Sequence, residues 1–261
     1  MCGDAGDVST FDAHREGRHR LRMAELKLTV LSLRYSSWSM RPWLALTHAG
    51  VAFETETVEL PHMQRAGENT SLAQRRALGS VHGLFPVLRV DGTAIHESLA
   101  ICEYVADTHP AARLWPDDAL RRAEARAICS EMVSGFTSMR GEMSCHWLGR
   151  VPNFEPNAAA RADVDRVFEL WGEKLDRSGG PFLFGRFSIA DAMYFPVLTR
   201  FRTYGVELPQ GLAAYAETLE AHPAVRALLE KARTAPRIPV YDDALRKLGG
   251  DPDAALRESA R

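Results

Sequence analysis

An alternating apolar run over residues 26–33 leads almost directly into Ser36-Ser37-Trp38-Ser39-Met40-Arg41-Pro42. An apolar helical pattern from Trp43 to Ala49 follows, closed by Gly50. A strand that turns into a helix through a hydroxyl-rich junction admits few folds, because strand and helix must then pack as layers. A helix N-terminus carries unpaired N–H groups and about half a positive charge, so an anion such as a thiolate is stabilised there. Pro42 limits where the helix begins, since proline is tolerated only in the first turn. That requirement makes Ser39 the expected N-cap. Ser36 and Ser37 then fall in the preceding loop, as turn formers or as ligand contacts.

Beyond Gly50, residues 52–60 are rich in Thr and Val and read as a second strand. It would run parallel to the first, with the helix as a right-handed crossover. A polar segment over 61–71 and a short helix over 72–78 come next. Asp91-Gly92 between two β-prone runs predicts a hairpin, since both turn positions want positive φ. Pro86 opens its strand, where a missing N–H is tolerable. Residues 97–106 read as a helix with Leu99, Cys102 and Val105 on one stripe, stopped by Pro110. Strands and helices thus fill residues 25–107.

After a linker at 109–118 there is no strand pattern. Helices are expected over 120–148, 158–177, 188–202, 212–220 and 224–233. Ser188-Ile189-Ala190-Asp191 has capping-box spacing, with Asp in place of Glu. The expected fold class is α/β plus all-α, with an all-helical domain at 118–235. Residues 1–24 read as a disordered extension without a secretory signal core, and 236–261 as a loose polar tail.

The 261 residues carry a formal charge of −2, which gives no argument for nucleic acid or a membrane surface. Four cysteines, Cys2, Cys102, Cys129 and Cys145, show neither CxxC pairing nor metal-ligand spacing. Free thiols in a reducing, cytoplasmic setting are expected, with no metal.

Four motifs occur together: Ser36-Ser37-Trp38-Ser39-Met40-Arg41, Phe85-Pro86-Val87-Leu88, His96-Glu97-Ser98-Leu99-Ala100-Ile101 and Ser188-Ile189-Ala190-Asp191. In this order and spacing the chain resembles the cytosolic glutathione transferases. Their fold is a thioredoxin-like domain followed by an α-helical bundle domain, and the serine loop is similar to that of the zeta class. The resemblance implies glutathione as co-substrate, a small electrophile as second substrate, a homodimer and a role in detoxification. It makes Ser36 the first choice to hold the thiolate and Ser37 the second. It implies a cis bond before Pro86, with the Phe85 backbone pairing with the cysteinyl unit of glutathione. Glu97 and Ser98 would receive the γ-glutamyl end, the carboxylate going to the Ser98 hydroxyl and amide.

Trp38 stands where zeta enzymes have cysteine, which bears on an isomerase reading of the maleylacetoacetate or maleylpyruvate type. Leu84 replaces a polar residue that usually meets the glycine carboxylate, with Gln74 and His82 as substitutes. The second-substrate pocket is expected along the first long helix, from Met132, Phe136 and Arg140 with Trp38. Arg140 is the candidate for an acceptor carboxylate. A non-catalytic glutathione-binding scaffold is the reading from another functional class.

Overall fold

The computed structural model describes residues 25–58, 76, 80 and 83–258. The expected extension at 1–24, the segment 61–71, the helix 72–78 apart from Arg76, and the substitutes Gln74 and His82 lie outside the described residues.

Strands β1 (Leu26–Val30), β2 (Glu54–Thr57), β3 (Val87–Val90) and β4 (Thr93–His96) form one sheet in the order β2-β1-β3-β4. β1 pairs parallel with β2 and antiparallel with β3, placing Leu28 opposite both Thr55 and Leu88. The Asp91-Gly92 hairpin forms as expected, with φ of 46° and 88° at its two corners. Helix α1 (Ser37–His48) makes the crossover from β1 to β2, and α2 (Ser98–Thr108) packs beside it.

The remainder is helical: α3 (Ala119–Ser134), α4 (Thr137–Glu142), α5 (Ala158–Ser178), α6 (Ile189–Tyr204), α7 (Gln210–Ala221) and α8 (Pro223–Thr234). α6 lies between α1 and α3 and is buried along nearly its whole length. Its capping box forms: Ser188 donates both amide and hydroxyl to Asp191 at 2.9 Å. Asp191 also accepts the Leu183 amide and the Tyr215 hydroxyl, so its carboxylate joins three segments. Leu44 of α1, Trp171 of α5 and Phe195 of α6 belong to one continuous core.

Three expectations need correction. The helix expected over 120–148 is two helices. It breaks where Gly135 approaches the Glu131 carbonyl too closely for a side chain, and where Phe136 turns left-handed at φ 55°. The tail expected to be loose is ordered, as α9 (Pro239–Lys247) and α10 (Ala254–Glu258). It is held by Leu245, which is fully buried, and by Asp242. Finally, α1 is capped by Ser36, whose side chain accepts the Ser39 amide, so Pro42 sits in the second turn. Pro42 lacks the N–H that would meet the Trp38 carbonyl, and the Ser98 hydroxyl donates to that carbonyl instead.

Candidate functional site

A cavity of about 670 Å³ opens between the serine turn and the first helices of the bundle. Tyr35, Ser36, Ser37 and Trp38 form one wall with Leu84 and Phe85. Val133, Arg140, Ser144 and Cys145 face them, with Arg200 and Tyr241 completing the lining.

The two serines differ in what their hydroxyls do. Ser36 Oγ accepts the Ser39 amide at 3.3 Å and donates to Ser39 Oγ at 2.9 Å, so it works as a cap. Ser37 is buried, and its Oγ accepts a long contact of 3.5 Å from Arg200 Nη2. Among the described residues this hydroxyl only accepts, so it still has its own proton to give. Arg200 is held by Met143 and Pro196 carbonyls at 2.8 and 2.9 Å. The neighbouring Tyr35 hydroxyl is not aimed at the cavity, because it donates to Asp242 at 2.7 Å. Burial and that carboxylate push the Tyr35 phenol well above its usual range, so it stays protonated.

The cavity has a positive lining. Arg140 and Arg200 reach it, and among the described residues no Asp or Glu does. Trp38 lies between two guanidinium groups, Arg41 at 4.1 Å and Arg140 at 4.7 Å from the ring centre. Arg41 is buried, donates Nε to the Met193 carbonyl, and keeps Nη1 without a partner among the described residues. Burial, then the nearby Arg200 and Arg140, lowers its pKa; burial and Arg200 do the same to Arg140. Arg140 also collects the last carbonyls of α3, from Met132, Val133 and Gly135, at 3.2–3.4 Å.

The other expected residues divide. The Phe85–Pro86 bond is cis and Phe85 lines the cavity. Glu97 and Ser98 sit outside its lining, at the head of α2. Glu97 is exposed and caps that helix through the Ala100 amide at 2.8 Å. Ser98 is buried with its hydroxyl proton on the Trp38 carbonyl, so only its amide is open to a carboxylate. Met132 and Phe136 are core residues rather than pocket residues: Met132 is fully buried on α3, and Phe136, in the break after α3, packs against Tyr194. Cys102, Cys129 and Cys145 are buried, and Cys145 also borders the cavity.

Sequence reasoning missed Arg200 and Tyr241. Arg200 is a lone charge inside the apolar run Tyr194 to Phe201, a pattern that marks a charge facing a cavity. Tyr241 follows Pro239 at a helix start, a start signal obscured by the charged residues around it. Among the described residues there is no group of three or more metal-ligating side chains, and no helix long and apolar enough to cross a membrane.

The chain matches the description "Glutathione S-transferase, N-terminal domain" over residues 35–108 and "Glutathione S-transferase, C-terminal domain" over residues 119–231. It is 37% identical over 113 residues to a probable maleylacetoacetate isomerase of Caenorhabditis elegans, spanning 43% of this chain and half of that protein. It is 28% identical to a probable maleylacetoacetate isomerase of Vibrio cholerae, over 72% of this chain and 89% of that one. Among solved structures it is similar to a glutathione transferase homolog from Burkholderia with bound glutathione. That likeness has a TM-score of 0.61 and 25% identity, and covers 81% of this chain and all of the other.

Proposed function

The chain belongs to the glutathione S-transferase family, and on that premise we propose that it transfers the thiol of glutathione to a small electrophile bearing an acidic group. The observation that carries this reading is the pairing, among the described residues, of a serine hydroxyl that donates to none of them with two cavity-facing guanidinium groups and no carboxylate.

Free glutathione resembles cysteine, with a thiol pKa of about 8.5, so little is thiolate at neutral pH. A sulfur at the N-terminus of α1 meets the helix dipole, a donated hydroxyl and the field of Arg200, all of which favour the anion. The available proton moves the first choice of donor from Ser36 to Ser37, with Ser36 setting the turn. The Phe85 backbone pairs with the cysteinyl unit as an added strand would. Glu97 takes the γ-glutamyl ammonium, and the amides at the head of α2 take its carboxylate.

The thiolate then attacks the electrophilic carbon. A carbon–sulfur bond forms, and the leaving group departs with its electron pair; with an enone, that pair moves to an enolate that takes up a proton. Arg140 and Arg200 hold the acid of the acceptor beside the sulfur. The family resemblance adds a homodimer, and the buried unpaired cysteines suit the cytoplasm.

A second reading is glutathione-dependent cis–trans isomerisation of an unsaturated diacid, by addition, rotation and release of the thiolate. The names of the relatives and the two guanidiniums favour it; Trp38 in place of the zeta-class cysteine weighs against it. The test is one assay with glutathione and a panel of acidic and neutral electrophiles. Consumption of glutathione with a product adduct supports transfer, and turnover of an enone diacid without consumption supports isomerisation. Glutathione binding with no thiolate formed and no turnover overturns both in favour of a binding scaffold.

A further inference from the structure

The match to the family's C-terminal domain ends at residue 231, and the chain continues as an ordered segment that returns to the serine turn. It holds the two residues immediately before Ser36. Arg34, almost fully buried, donates to the Pro252 carbonyl at 2.5 Å and to Asp253 at 2.6 Å. Tyr35 donates to Asp242 at 2.7 Å and stacks on Tyr241 at 5.2 Å between ring centres. Asp242 accepts His146 Nε2 on the same oxygen at 2.8 Å, and Arg237 on the other at 2.7 Å. Farther along, Arg150 and Asp251 exchange both backbone hydrogen bonds.

We propose that residues 237–253 are a strap that holds the thiol-activating turn in place, with Asp242 as a positioning residue acting through Tyr35. The inference takes the turn's role in thiol activation from the function proposed above. A buried carboxylate with three donors makes a stiff junction, because losing any donor leaves an unsatisfied buried group. Here one donor is the residue next to the Ser36 cap and another, His146, lies beyond Cys145 on the opposite wall. The carboxylate therefore helps to fix the separation of the two walls, beside the Trp147–Arg34 backbone bond, and sets the direction of the turn. Nothing in the sheet does this job: β1 ends at Val30, and five residues separate it from the Ser36 cap. Apart from the strap, those residues are tied by the Leu31 amide to Ser39 Oγ, a tight turn at Ser32 and the Trp147 amide, which donates to the Arg34 carbonyl at 3.1 Å.

The test compares the full chain with Tyr35→Phe, Asp242→Ala and the double variant. Three quantities are read: hydrogen exchange of the peptide covering residues 31–40, thiolate absorbance of bound glutathione against pH, and kcat with KM for glutathione. The expected results are faster exchange, a thiolate transition moved to higher pH, and kcat lower by about ten-fold with KM changed far less. The double variant should be no worse than the worse single one, since both remove the same link. Exchange, thiol titration and kcat at wild-type values in folded variants, or additive losses, would overturn the proposal. If Asp242→Ala does not fold, Tyr35→Phe decides alone, since it deletes one oxygen. If the wild-type protein forms no thiolate, the transfer reading fails and the exchange result by itself decides on the strap.

Discussion

Ser98 Oγ donates to the Trp38 carbonyl at 2.8 Å and so ties the head of α2 to the first turn of α1. The carbonyl is available because Pro42, four residues on, has no N–H. Ser98→Ala should therefore destabilise the protein by about 1 kcal/mol, the worth of a hydrogen bond to a half-buried acceptor. Urea unfolding should show a lower midpoint with an unchanged slope.

The two serines of the turn should separate experimentally. Ser36→Ala removes an N-cap and should cost about 0.5–2 kcal/mol of stability. Ser37→Ala should leave the melting temperature near wild type while raising the pKa of bound glutathione and slowing thiol transfer. Thermal melts and an ultraviolet titration of the bound thiol, run on both variants, check this. A Ser37→Ala enzyme with undiminished transfer would return the donor role to Ser36.

Arg140→Gln keeps a donor for the end of α3 but removes a cavity-facing charge. Transfer to 4-chloro-3,5-dinitrobenzoate should lose about ten-fold in kcat/KM, the scale of one charged hydrogen bond. Transfer to its neutral counterpart, 1-chloro-2,4-dinitrobenzene, should change little. Equal losses on both acceptors would mean that Arg140 serves the fold alone.

His48 and His222 join the end of α1 to the start of α8 through ring nitrogens 3.2 Å apart. His222 Nδ1 accepts the Ala224 amide, so its proton sits on Nε2 and His48 Nδ1 accepts it. Burial lowers both pKa values, and His48 helps lower His222 to about 4. The folded values lie below the unfolded value of about 6.5. The stability this pair contributes is thus complete above that pH and is lost as pH falls toward 4. Melting temperature measured across this range should fall on the acid side, and less so in His222→Asn.

Gly149 and Gly250 let the strap dock. A methyl at Gly149 would strike the Leu245 side chain and lie 2.8 Å from His146 Nδ1; one at Gly250 would lie 2.9 Å from the Arg150 carbonyl. Gly149→Ala should loosen α9, seen as earlier proteolysis after residue 235 and as faster exchange in residues 31–40. Gly172→Ala, where nothing stands within 4 Å, is the matched control.

Much of this arrangement was legible in the residues. The Asp91-Gly92 turn, the parallel crossover and the Ser188–Asp191 box depend on local geometry, which short motifs encode. The α1 cap was misplaced because the rule against proline past the first turn assumes an orphaned carbonyl. Ser98, sixty residues away, removes that assumption. Met132 and Phe136 stand at helical spacing in the sequence, but periodicity alone shows neither which side of a stripe meets a cavity nor that the helix breaks between them at Gly135. The strap was unreadable for a related reason: its charges look solvent-directed until Asp242 is seen between Tyr35, His146 and Arg237.

The shared core has a consequence for how the molecule comes apart. Leu44, Phe195 and Trp171 pack in one cluster although they come from the sheet-bearing half and the helical half. Neither half excised as a fragment would keep its interior dry, since each would bare the face of α1 or α6 that the other covers. Denaturation should accordingly be a single cooperative event, with fluorescence and circular dichroism tracing the same curve.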